Sequence, residues 1–160
     1  MLESVGGLDE TLPAAAGEDT DLALRARALG VPYVGAPRAV VNHAVEAYSI
    51  LGMIRVAWKW QHLPYVVRRH PQLRRQMPLG LFWRSSHAWA LGGALAAVTL
   101  RRRLALLAFA PYVGALMPFA GWSPRRWLRR LVELPSRVLI DLAELIALVR
   151  GSVRYRTPFL

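Results

Sequence analysis

Carboxylates crowd the first 21 residues of the chain: Asp9 and Glu10 follow Gly6-Gly7-Leu8, and Glu18, Asp19 and Asp21 follow Gly17. A carboxylate can take the proton from a hydroxyl as that hydroxyl attacks an electrophilic carbon, provided the two stand within hydrogen-bond reach. The same placement has a purely local use. An acid at an N-cap or in a first turn satisfies free backbone N–H groups and the positive end of the helix dipole. Leu22, Ala26 and Leu29 recur at helical spacing behind the acids, and Gly30 is placed to end the helix. Val31 to Val34 and Ala39 to His43 then read as two short strands, with Pro37 between them.

Val5-Gly6-Gly7-Leu8-Asp9-Glu10 and Gly17-Glu18-Asp19-Thr20-Asp21-Leu22-Ala23-Leu24-Arg25 resemble the acceptor-side motif of family 2 glycosyltransferases with a GT-A fold. The resemblance covers about residues 5 to 43. It implies inverting transfer of a sugar from a nucleotide-sugar donor to a lipid-linked or cell-envelope glycan acceptor. Asp19 would be the base, Glu18 would orient it, and Asp21, Asp9 and Glu10 would meet the substrate. A divalent metal, Mg²⁺ or Mn²⁺, is implied for the complete enzyme. His43 is the candidate ligand in this stretch, with a strand-end or surface histidine as the plain alternative. Such enzymes carry a nucleotide-binding half closed by an Asp-x-Asp metal motif ahead of this segment, and neither is found here. Asp19-Thr20-Asp21 spells Asp-x-Asp but lies inside the acceptor motif. The expectation is therefore the C-terminal part of a larger transferase, inactive without its donor half. The alternative is a non-catalytic membrane-anchored fragment or accessory subunit.

Composition points to a membrane. Hydrophobic residues make up 54% of the 160 and the mean hydropathy is +0.26, high for a soluble domain. The net charge is +11 and unevenly spread: six of the ten acids lie at or before Asp21, and none falls between Glu46 and Glu133. Fourteen Arg or Lys occupy that interval, interleaved with Trp and long apolar runs, which favours an anionic membrane surface over nucleic acid. With no cysteine, neither a disulfide framework nor a thiolate metal site is available.

The elements expected to position the acids follow from these patterns. Fold class is expected to be mainly α with a small α/β remnant, in which a partial GT-A acceptor-side segment (1–45) leads into amphipathic and transmembrane helices. Residues 46–82 read as basic amphipathic interfacial helices interrupted at Pro64 and at His70-Pro71, with Arg55, Arg68, Arg69, Arg74 and Arg75 suited to snorkelling. Residues 83–123 read as a membrane hairpin or a single span. Leu104 to Trp122 is nineteen residues without a charge, near the roughly 20 needed to cross a bilayer core. Trp83, Trp89, Trp122 and Trp127 suit interfacial belts. The arginines flanking this region outnumber Arg101-Arg102-Arg103 in its turn, which implies an inner-membrane protein with a cytoplasmic catalytic face. Residues 124–160 read as a basic patch, an amphipathic helix over Arg137 to Arg150, and a tail with Arg154 and Arg156. Val138, Leu142, Leu145 and Val149 mark the apolar face of that helix, and Asp141 and Glu144 a polar face paired with nearby arginines. No chemistry is expected there.

Overall fold

The computed structural model describes residues 2–42, 48–99, 107–117 and 123–160, and over these the chain is helical with no strand. Among the described residues the α-helices are, in order, α1 (Leu2–Val5), α2 (Glu18–Ala28), α3 (Ile50–Trp58), α4 (Leu63–Arg69), α5 (Ser85–Thr99), α6 (Ala110–Leu116) and α7 (Pro124–Arg154). Three 3₁₀ turns, Lys59–His62, Pro71–Gln76 and Pro78–Gly80, fill the bends. The proline breaks act locally as expected. Pro64 sits in the first turn of α4, where its missing N–H costs nothing, and Pro71 opens the 3₁₀ turn that follows α4. Ser49 caps α3, its hydroxyl accepting from the Gly52 N–H at 3.2 Å.

The expected α/β remnant is not found. Residues 31–42 carry no strand, and Tyr33, Val34, Val40 and Val41 are exposed. A lone extended segment has no ladder in which to place its backbone groups, and no partner strand exists among the described residues. Val31 instead folds back on the end of α2, its N–H donating to the Ala26 carbonyl at 3.0 Å. The transmembrane helices are likewise overturned, because no helix of the described residues is long and apolar enough to cross a membrane. α5 spans 15 residues and α6 only 7, the latter within the Leu104 to Trp122 run.

One long helix organises the rest. α7 runs 31 residues, from a proline in its first turn to Arg154, well beyond the expected Arg137 to Arg150. It lies against α3, the Lys59–His62 turn and α4, and more lightly against α5 and α6. Leu63 and Val67 of α4 meet Leu148 of α7 and Phe159 of the tail in a small apolar core, flanked by Trp60, Met77 and Trp83. The tail folds in instead of remaining a free basic arm. Phe159 is buried, the Leu160 N–H donates to Leu81 O at 2.7 Å, and Arg74 Nη2 donates to Pro158 O at 2.8 Å.

α7 turns its acid-bearing face inward and leaves much of its apolar face exposed. Asp141, Glu144, Ala147, Leu148 and Gly151 are buried, while Leu128, Val132, Leu139, Leu142, Ile146, Val149 and Val153 form an exposed apolar stripe. Small residues explain the choice. A Cβ added at Gly151 would land on the Gln61 carbonyl, so only glycine lets α7 approach the turn beneath it this closely.

Candidate functional site

The glycine and acid motif folds onto itself and onto α4. Gly6 and Gly7, at φ +81° and +65°, turn the chain so that the carbonyls of Val5 and Gly7 both face Arg25 of α2. Arg25 Nη1 donates to Val5 O, and Nη2 to Gly7 O at 2.7 Å. The same guanidinium donates through Nε to Asp21 Oδ2 at 2.8 Å, a pairing one helical turn apart. The start of α2 is set by Gly17 at φ +93°, whose missing side chain leaves room for Val66 of α4.

Asp21 is fully buried. Its Oδ1 accepts from His70 Nε2 at 2.8 Å and lies 3.6 Å from Arg69 Nε, so both oxygens are held by protein cations or donors. Burial alone pushes this carboxyl up, but the hydrogen bonds from His70 and Arg25 and the nearby charges of Arg25 and Arg69 hold it below the usual carboxylate value. Asp9 shares Arg69, whose Nη1 donates to Oδ2 at 2.5 Å, and accepts from the Thr11 hydroxyl and N–H and from Tyr65 Oη at 2.9 Å. The Thr11 hydroxyl chiefly, with Tyr65 and Arg69, brings Asp9 down to about 2. Asp9, Arg69, Asp21, His70 and Arg25 thus form one network that staples the motif to α4.

Glu18 and Asp19 stand outside that network. Asp19 is exposed in the first turn of α2, and its Oδ1 accepts only from neighbouring Thr20, at 2.7 Å from the backbone N–H and 3.4 Å from the hydroxyl. The N-cap is Gly17, not an acid, so Asp19 does not close the helix. No described cation pairs with Glu18 or Asp19, and no hydrogen bond joins the two, as adjacent helix positions point about 100° apart. Glu10 is exposed. His43 lies outside the described residues. Since the oxygens of Asp21 are already held, the described residues of the motif do not fit the divalent metal that the resemblance implies.

A second polar cluster escaped the sequence reading. His87 of α5 is 0% exposed, and Asp141 and Glu144 of α7, expected on a polar face paired with nearby arginines, are 4% and 2% exposed. His87 Nε2 lies 3.5 Å from Asp141 Oδ1 and 4.0 Å from Glu144 Oε2. Ser86 Oγ donates to Asp141 Oδ1 at 2.7 Å, and Arg84 Nη2 stands 3.2 Å from Glu144 Oε1. Neither His87 Nε2 nor Asp141 Oδ2 closes a well-formed hydrogen bond, although the Leu160 backbone stands close to His87 and the Tyr112 hydroxyl close to Asp141. Burial pushes His87 down and Glu144 up, while the Tyr112 hydroxyl, buried beside Asp141, is pushed up. Asp141, Glu144 and Arg84 also line a cavity of about 650 Å³ between α3 and α7, together with Trp60, Arg137 and Leu116. The i, i+3 spacing of Asp141 and Glu144 was the one signal in the sequence; their histidine partner lies more than fifty residues upstream.

Compared with known proteins, the chain matches no family model, no curated protein and no solved structure.

Proposed function

We propose that this chain is the acceptor-side, membrane-facing part of an inverting sugar transferase, with Asp19 as the base. The observation that carries the reading is the division of the motif acids. Asp9 and Asp21 are consumed by Arg25, Arg69, Tyr65 and His70, whereas Asp19 keeps a solvent-facing carboxylate with no cation beside it. A base must be reachable by the hydroxyl it deprotonates and must not be neutralised by a fixed partner. Asp9 and Asp21 then act through position, by fixing α2 and so the direction in which its first turn points.

In the transfer step the acceptor oxygen attacks the anomeric carbon from the side opposite the nucleoside diphosphate. The new carbon–oxygen bond forms as the bond to the diphosphate breaks, and the hydroxyl proton passes to Asp19. The nucleotide-sugar is presented by a donor-binding half supplied from outside these 160 residues, and the metal belongs with that half. The acceptor is lipid-linked or part of the cell envelope, reached from the cytoplasmic face of the inner membrane. The exposed apolar stripe of α7, flanked by arginines, supports contact with a membrane surface.

In the transferase completed by its donor half, Asp19→Asn should lower kcat by 10²- to 10⁴-fold, the usual contribution of a general base, and leave donor affinity within about twofold. Turnover within threefold of the parent would remove Asp19 from the role. A second reading, a non-catalytic membrane-bound accessory chain, is favoured by the same stripe, which needs no base. It requires Asp19→Asn to be silent in transfer and in growth alike.

A further inference from the structure

We propose that His87, Asp141 and Glu144 form a binding site for one divalent first-row transition cation, Zn²⁺ foremost, which ties α5 to α7. The three side chains offer one imidazole nitrogen and two carboxylate oxygens, all within 4.8 Å of one another. Ligands bound to Zn²⁺ at about 2.0–2.2 Å in a tetrahedron stand about 3.4 Å apart. His87 Nε2 is 3.5 Å from Asp141 Oδ1 and 4.0 Å from Glu144 Oε2, so small rotations about the side-chain bonds close the set.

Two features separate this cluster from an ordinary ion-pair network. First, His87 is wholly buried, with Nε2 directed at both carboxylates at 3.5 and 4.0 Å and closing a good hydrogen bond to neither, while the Leu160 backbone stands close to the ring. A buried ring nitrogen left so carries a desolvation cost that coordination removes. Second, two carboxylates less than 5% exposed face each other, with Arg84, itself half exposed, as their nearest cation. Like charges this close and this dry are costly unless a proton or a cation lies between them. A divalent ion neutralises both and accepts the imidazole at once.

The donor set selects the ion. One imidazole with two carboxylates suits Zn²⁺ or Mn²⁺, whereas Mg²⁺ and Ca²⁺ prefer oxygen alone. Outer contacts that orient ligands are already in place: Ser86 Oγ donates to Asp141 Oδ1 at 2.7 Å, and Arg84 holds Glu144 Oε1. The cavity of about 650 Å³ that reaches Asp141 and Glu144 supplies an entry path and room for a water at the fourth position. The site is independent of sugar transfer, and its test needs no turnover.

The 160-residue chain, stripped with EDTA and equilibrated with Zn²⁺ alone, should retain about one zinc per chain by elemental analysis. Its Tm should rise by roughly 5–10 °C at a zinc concentration a hundredfold above Kd. His87→Gln and Glu144→Gln should each weaken binding at least tenfold, and Mg²⁺ at the same concentration should leave Tm unmoved. Failure to bind zinc, full binding in both variants, or an equal response to Mg²⁺ overturns the site. Should the variants not fold, X-ray absorption of the zinc-loaded parent decides. A shell of one imidazole with oxygen donors supports the assignment, and a shell with no imidazole or with two or more overturns it.

Discussion

At the scale of single residues, the motif acids differ in what surrounds them, and that difference sets both stability and chemistry. Removing the Asp21 carboxylate leaves Arg25 and His70 with a buried vacancy between them and takes one of two acids from Arg69. Asp21→Ala should therefore destabilise the fold by about 3–5 kcal/mol, read from the urea midpoint at neutral pH. Acid should act on the same network. Asp9, at about 2, and Asp21 both lie below the unfolded value of 3.8, so their contribution to stability is complete above about pH 4 and is lost as pH falls through the folded values. The urea midpoint should drop between pH 4 and 2, and Asp9→Asn should flatten that drop; an unchanged slope would show that Asp9 carries none of it. The place of Asp19 in the first turn of a helix was legible in the sequence, because its neighbours and the helix start are local. The burial of Asp21 was not, since its histidine lies 49 positions away and its arginines belong to two helices. Glu144 meets an arginine as its pattern implies, but the burial of Asp141 and Glu144 is not local information, because Arg84 and His87 reach them from outside α7.

At the scale of elements, what is set by neighbours in sequence was readable and what is set by pairing was not. Pro64 and Pro71 mark helix limits because each acts within one turn. The two strands failed because a β-rich run becomes a strand only when another edge accepts its hydrogen bonds. The basic stretch before Arg137 joins the helix, because arginine is a good helix former and Pro124 suits a first turn, so α7 begins earlier than its apolar pattern does. Which face α7 buries is decided by space, through Gly151. Gly151→Ala should force α7 off the Gln61 carbonyl and cost about 1–3 kcal/mol, with a lower Tm. Gly92, in the exposed middle of α5 with open space where a Cβ would stand, should show the opposite sign. Gly92→Ala should raise stability by about 0.5–1 kcal/mol through better helix propensity. Equal effects at the two sites would mean that backbone entropy, and not the approach to Gln61, controls both.

At the scale of the whole molecule, the inward-facing acids of α7 and its outward-facing apolar stripe are one decision seen from two sides. Leu128, Val132, Leu139, Leu142, Ile146, Val149 and Val153 advance at alternating steps of three and four or their sum, which keeps them in a single line along a helix of 31 residues. Arg125, Arg150 and Arg154 flank that line, and the chain carries a net charge of +11. Large contiguous apolar patches are rare on a surface that meets only water, and cationic flanks match an anionic bilayer. The hydropathy that pointed to crossing helices is thus partly displayed on the side of a helix that can lie in the interface. The chain should bind vesicles containing about a third anionic lipid and bind neutral vesicles much less, since each Lys or Arg near the surface is worth about 1 kcal/mol. Raising salt should weaken the anionic binding without abolishing it, because the apolar contribution is not screened. Ile146→Glu, which puts a charge in the middle of the stripe, should reduce binding at least tenfold while leaving the helical circular dichroism intact. If Ile146→Glu binds as well as the parent, or if neutral and anionic vesicles bind alike, the stripe does not face lipid, and the apolar face of α7 must be covered by protein instead.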